Sequence, residues 1–187
     1  MANIHPNVKQ VLYTEDDIKQ RVAQMGKMIE ADYKDSKELV FIGILKGSFM
    51  FMSDLVRSVH LPNTLVSLDF MSISSYGHST SSSGVVKINM DLKESIEGKD
   101  VIVVEDIIDS GLTLKHLLGM LHDRLPRSIN TCVLLRKKEG LKTDVPIKYL
   151  GFDIPMVFII GYGLDFAERY REIPYLGELK EECYKTA

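Results

Sequence analysis

Residues 101–113 read VIVVEDIIDSGLT. Four apolar residues lead into Glu105 and Asp106, and a third carboxylate, Asp109, is followed by Ser110, Gly111, Leu112 and Thr113. These small residues suit an anion. A helix starting here offers unpaired backbone N–H groups and a partial positive charge, and Gly111 lets the backbone come close to a ligand. The carboxylates need a different partner, because beside a phosphate they repel it. They can accept hydrogen bonds from a sugar diol, or organise a divalent cation that also binds phosphate oxygens. The pattern therefore describes a sugar phosphate. A plainer assignment, in which Asp109 or Ser110 only caps the helix, leaves Glu105 and Asp106 unexplained directly after a buried strand.

The elements around this stretch suit an α/β sheet with ligands at the carboxyl ends of its strands. Thr14 followed by Glu15, Asp16 and Asp17 predicts a helix start, and Ile18, Val22, Met25 and Ile29 recur at helical spacing. Glu38 to Leu45 reads as a buried strand, Lys46-Gly47-Ser48 as a turn, and Met52, Leu55, Val56 and Val59 as one face of a second helix. Thr64 to Ser74 predicts a strand with Val66, Leu68 and Phe70 on one face, and Val85 to Asn89 another. Between them, residues 74–84 are serine-rich with no aliphatic side chain, which predicts an exposed mobile flap. Val101 to Val104 is the next buried strand. Leu114, Leu117, Leu118, Leu121 and Leu125 form a helix stripe stopped by Pro126, and Ile129 to Leu135 and Met156 to Ile160 are further apolar runs. Alternating strands and helices predict a mainly parallel sheet covered on both faces.

With 187 residues and 45% hydrophobic content, one domain with one well-buried core is expected. A net charge of -3 gives no general attraction to nucleic acid or anionic lipid, so any phosphate site must be local. MANIHPNVKQ carries no signal-peptide pattern and no apolar run is long enough for a membrane span, so a cytoplasmic protein is expected. Cys132 and Cys183 lie in no metal-ligand spacing and are expected to be free thiols, one buried and one in the tail. The chain has no GxxxxGK[ST] loop, and Gly161 to Phe166 lacks the third glycine of a dinucleotide fingerprint.

The stretch 101–113 resembles the phosphoribosyl-pyrophosphate signature of the type I phosphoribosyltransferases. Further matches follow in family order over nearly the whole chain. Leu45 to Ser48 (LKGS) is similar to the pyrophosphate loop, Ser74 to Tyr76 to the start of the catalytic loop, and Leu134 to Lys138 (LLRKK) to the strand end bearing a purine-reading lysine. Val157 to Arg171 resembles the base-binding segment, and its combination with the signature points to the members that act on 6-oxopurines. The resemblance implies an α/β type I phosphoribosyltransferase fold: a mainly parallel twisted sheet flanked by helices, a small hood and a flexible lid loop. It also implies a single domain over 1–187, with the catalytic loop at about 74–84 and the purine-binding segment at about 134–171.

The resemblance further implies transfer of 5-phosphoribosyl from its 1-pyrophosphate to N9 of hypoxanthine or guanine, giving IMP or GMP and pyrophosphate in purine salvage. Glu105 and Asp106 would hold the ribose hydroxyls, Asp109, Ser110, Gly111, Leu112 and Thr113 the 5′-phosphate, and Asp109 would exchange the N7 proton of the purine. Lys46, Gly47 and Arg171 would bind pyrophosphate, with Leu45-Lys46 a non-proline cis peptide. Lys137 would donate to O6, Phe158 stack on the base, the backbone of Ile159 read its edge and Asp165 lie beside it. Ser75 and Tyr76 would close over the reaction centre. Mg²⁺ is implied as cofactor, with Glu105, Asp106 and Asp165 as its carboxylates, and a homodimer or homotetramer as the assembly. No nucleic acid or membrane partner is expected. Leu112 stands where some members carry lysine, which leaves the phosphate more dependent on backbone N–H groups. Taken alone, Lys46 reads as a turn lysine, Phe158 as a core aromatic and Arg136-Lys137-Lys138 as a solvated basic patch. Two other readings stay open: a nucleotide-sensing regulator that binds nucleic acid, and a transferase preferring xanthine.

Overall fold

Alternation along the apolar strands decides which helix each face meets. The computed structural model describes residues 4–75 and 86–185. A six-stranded sheet has the order β4-β3-β2-β5-β6-β7. Its strands are β2 (Glu38–Leu45), β3 (Leu65–Ser75), β4 (Val86–Met90), β5 (Asp100–Ile108), β6 (Ser128–Lys137) and β7 (Tyr149–Ile154). All neighbours are parallel except β4, which runs antiparallel to β3. Leu39, Phe41, Ile102, Val104, Cys132 and Leu134 face α1 (Glu15–Tyr33) and α2 (Phe49–Arg57). The alternate residues Val40, Ile42, Val101, Val103 and Val133 face α3 (Leu112–His122). Both faces are covered, as the continuous apolar strands require.

Thr14 closes a capping box with Asp17 at the start of α1, whose buried residues include Ile18, Val22, Met25 and Ile29. The carboxylate Asp100, at the amino end of β5, is buried and bonded to Ser36, Arg127 and Ser128. These partners hold its carboxyl down at about 2 against the opposing effect of burial.

Several expectations shift. Glu105 and Asp106 lie within β5, which continues to Ile108, because β6 keeps pairing with it beyond the point where β2 stops. Leu125 falls after α3, has φ 56° and is 67% exposed, so it does not belong to the helix stripe. Val59 likewise lies past the end of α2. Val66 and Leu68 on β3 are exposed together with Leu65, because this half of the strand has no neighbour on its outer side. Only Ile159–Ile160 of the last apolar run forms a strand, β8, and it joins a separate small sheet with order β1-β9-β8. There β1 (Val8–Tyr13) and β8 both pair antiparallel with β9 (Leu176–Leu179). β1, β7 and β9 are short or mixed in composition and escape periodicity. Val85 and the flap residues from Tyr76 onward lie outside the described residues. Cys132 is buried and Cys183 half-buried, and both are free.

Candidate active site

The carboxyl end of β5 passes between the turn after β2 and the segment that leads out of β8. The side chain of Asp106 lies against Gly47: a Cβ at position 47 would come 1.6 Å from its Oδ2. Only glycine leaves this carboxylate where it is. Asp106 Oδ1 accepts from the Ile107 N–H at 2.8 Å. Glu105 Oε2 is buried and has no hydrogen-bond partner among the described residues. Burial first, then the neighbouring Asp106, pushes the Glu105 carboxyl well above its ordinary value. Burial also pushes Asp106 up to about 6, with Asp165 adding to the rise and the Ile107 N–H and Arg171 opposing it. Two adjacent acids held in this way call for hydroxyl donors or a cation.

Beyond β5 the chain turns through Asp109, Ser110 and Gly111 into α3. Gly111 is the N-cap residue with φ 77°, a left-handed conformation natural to glycine, and no side chain caps the helix. The capping role open to Asp109 or Ser110 is thus not taken up at the N-cap; Ser110 Oγ accepts from Leu112 N only at 3.4 Å. The loop is braced from behind, where Lys142 N donates to Ser110 O at 2.9 Å and Lys115 Nζ to Thr143 Oγ1 at 2.9 Å. A cavity of about 170 Å³ opens here, lined by Glu105, Asp109, Ser110, Gly111 and Thr113 among others. Its first-turn N–H groups suit a phosphate.

A second cavity, of about 200 Å³, is lined by Asp106, Ile107, Asp109, Lys137, Phe158, Ile159, Leu164 and Asp165. It shares Ile107 and Asp109 with the first. Lys137 Nζ is 3.3 Å from Asp109 Oδ2. Arg136 turns away and donates twice to Asp153, at 2.6 and 2.9 Å, so the register that aims Lys137 at the cavity is clear. Phe158 is braced by Phe166, edge-on at 5.4 Å between centroids, and by Tyr184, stacked at 5.3 Å. Ile159 is fixed by pairing with Glu178 on β9.

On the remaining side lies the turn after β2. The Leu45-Lys46 peptide is cis, as the resemblance implies. Gly163, with φ 99°, packs on this turn; a Cβ there would meet Gly47 O at 2.2 Å. Arg171 donates to Gly163 O at 2.8 Å and pairs with Asp165 at 2.9 Å, and Lys46 Nζ lies 2.9 Å from Glu168. The structure thus draws Gly47, Glu105, Asp106, the 109–113 turn, Lys137, Phe158, Ile159, Asp165 and Arg171 around one cleft. Lys46 sits at its margin. Ser75 ends β3, while Tyr76 lies outside the described residues. Glu105, Asp106 and Asp165 do not form a ready group of three metal-holding side chains among the described residues. Sequence reasoning placed Glu168 only in a charged run with Asp165, Arg169 and Arg171, and gave Phe166 and Tyr184 no role. The spacing of Asp165, Glu168 and Arg171 is a signal for the first, but nothing marks Tyr184, which reaches Phe158 only through tertiary packing.

Residues 12–167 match the phosphoribosyl transferase domain family. A hypoxanthine-guanine phosphoribosyltransferase of Dictyostelium discoideum is 73% identical over 177 residues, covering 95% of this chain and 98% of that protein. One from Bacillus subtilis is 44% identical over 180 residues, covering 96% and 98%. The crystal structure of a hypoxanthine phosphoribosyltransferase from Staphylococcus aureus superposes with a TM-score of 0.92 at 45% identity, covering 98% of this chain and 99% of that one. A hypoxanthine phosphoribosyltransferase from Trypanosoma cruzi gives 0.92 at 40% identity, covering 98% and 97%. With a cleft of acids and helix N–H groups at the ends of β5 and β6 and relatives matching over almost their full length, the chain belongs to the hypoxanthine-guanine phosphoribosyltransferases, type I phosphoribosyltransferases that serve purine salvage by transferring phosphoribosyl to hypoxanthine or guanine.

Proposed function

We propose that the two adjoining cavities divide the substrates at Asp109. The 5′-phosphate sits on the backbone of Asp109, Ser110, Gly111, Leu112 and Thr113, and the ribose hydroxyls donate to Glu105 and Asp106. The purine lies on Phe158, with Lys137 at O6, the Ile159 backbone at its edge and Asp165 beside it. Lys46, Gly47 and Arg171 hold pyrophosphate, and Ser75 and Tyr76 complete the cover. The observation that carries this reading is the position of Asp109 on the wall common to both cavities, with Lys137 Nζ 3.3 Å away.

The bond between C1′ and the pyrophosphate oxygen breaks as N9 of the purine bonds to C1′, and charge develops at both ends. Asp109 takes the proton from N7 as N9 becomes the nucleophile. Lys137 stabilises the negative charge that builds on O6, and Lys46 and Arg171 that on the departing pyrophosphate. Phe158 and the backbone at Ile159 keep N9 in line with C1′. The buried Glu105 Oε2, without a partner among the described residues, and the buried Asp106 beside it fit a divalent cation, which these two carboxylates would hold. Asp165, paired with Arg171, would reach such an ion only indirectly. Bound Mg²⁺ would neutralise the leaving group.

The domain is proposed to span 1–187 as one unit. Exposed Leu65, Val66 and Leu68 on β3 support a homodimer or homotetramer, to be checked by light scattering. No helix among the described residues is long and apolar enough to cross a membrane, and two free thiols support the cytoplasm as the working compartment. The test is turnover with phosphoribosyl pyrophosphate and Mg²⁺, offering hypoxanthine, guanine, xanthine and adenine separately. IMP and GMP should form, with adenine inert. Binding without turnover on any base would sink the residue assignments.

A further inference from the structure

The two cations assigned above to pyrophosphate already share an anion. Glu168 Oε2 lies 2.9 Å from Lys46 Nζ, and Oε1 of the same carboxylate lies 3.3 Å from Arg171 Nη2. One side chain therefore spans both cations with its two oxygens, as two oxygens of a pyrophosphate would. The local backbone is built for this reach. Ala167 and Glu168 have φ of 52° and 63°, a region that L-residues with side chains seldom adopt, and the Glu168 N–H is tied to Asp165 Oδ2 at 2.8 Å. A glycine or asparagine would accept that turn more readily, so a glutamate there needs a compensating contact, and the two cations supply it. Both ends of the contact are wet: the Lys46 and Glu168 side chains are 66% and 65% exposed. Exposed pairs of this kind are weak and exchange easily.

We propose that Glu168 is a positioning residue that competes with pyrophosphate for Lys46 and Arg171, keeping the two cations in place while making the leaving group easier to release. The proposal rests on the assignment of those cations to pyrophosphate. Its logic is that an enzyme gains nothing from holding a product more tightly than the reaction requires, since slow release then limits turnover.

The experiment is calorimetric titration of inorganic pyrophosphate with Mg²⁺ into wild type, Glu168→Gln and Lys46→Met, with IMP titrated into each as a separate probe of the 5′-phosphate and base pockets. Glu168→Gln keeps the shape of the side chain and removes its charge. Its pyrophosphate affinity should rise about threefold to tenfold, the range that one or two exposed ion pairs allow. IMP affinity should stay the same, and kcat and the KM for phosphoribosyl pyrophosphate should fall together. Glu168→Asp, which keeps the charge, should move pyrophosphate affinity back toward wild type. A general loss of structure would lower IMP affinity as well, and Glu168→Ala provides a second charge-removing variant if the first behaves so. If both charge-removing variants bind pyrophosphate no more tightly, or more weakly, while Lys46→Met loses affinity, the role of Glu168 is overturned alone. If Lys46→Met leaves pyrophosphate affinity unchanged, the underlying assignment of Lys46 is wrong.

Discussion

Asp109 is placed where one carboxylate can serve both substrates, and its contact with Lys137 makes the two residues separable by kinetics. Asp109→Asn should keep substrate binding and lower kcat by roughly 10²-fold to 10⁴-fold, the range for loss of a positioned acid or base. Lys137→Met should instead raise the KM for hypoxanthine by about 10-fold to 100-fold, as for a lost hydrogen bond to a charged donor, with the KM for phosphoribosyl pyrophosphate little changed. Steady-state assays varying each substrate in turn distinguish the two. At this scale the signature residues were legible, because the chemistry of acids beside a glycine turn is written in adjacent positions. Glu168 was marked only by its spacing from Asp165 and Arg171, and Tyr184 not at all, since its contact with Phe158 arises from tertiary packing.

β5 carries acids of opposite character at its two ends, and its behaviour with pH should show it. Asp100 is held down at about 2 by Arg127, Ser36 and Ser128, so its stabilising contribution is present above its ordinary 3.8 and lost as pH falls toward 2. Asp106 is pushed up from 3.8 to about 6, so the folded state keeps its proton longer than the unfolded chain does. Its contribution is full below 3.8 and lost as pH rises through about 6. Asp106→Asn should therefore raise stability at pH 8 by about 1–3 kcal/mol and leave it nearly unchanged at pH 4, measured by urea unfolding without divalent ions. Asp100→Ala, by contrast, should cost roughly 2 kcal/mol at pH 7, because it strands Arg127 and two hydroxyls. Gly47→Ala tests the fit of the turn after β2 to this strand. Its Cβ would fall 1.6 Å from Asp106 Oδ2, so activity should drop sharply while the pairing of β2 with β5, upstream of the turn, persists; turnover and far-UV circular dichroism check the two parts. The buried strands themselves were readable from apolar runs, but the extent of β5 was not, because Glu105 and Asp106 interrupt its apolar run and only the neighbour β6 carries the strand on through Ile107 and Ile108.

For the molecule as a whole, the large sheet was legible from continuous apolar strands alternating with amphipathic helices, whereas the small sheet was not. β9 contains a charged residue whose burial is explained only by pairing across the chain: Glu178 is buried and bonded to both Lys9 and Gln10 of β1. That arrangement also governs the order in which the protein can become active during synthesis. All six strands of the large sheet have been synthesised once Ile154 is made, but β8, which follows the phenylalanine proposed to stack on the base, is bordered among the described residues by β9 alone. β9 in turn is zipped to β1, which precedes every strand of the large sheet in the chain. A nascent chain still awaiting Leu176 to Leu179 would thus own the turn proposed to hold phosphate and no finished seat for the purine, so the ability to choose a base should arrive later in synthesis than the large sheet.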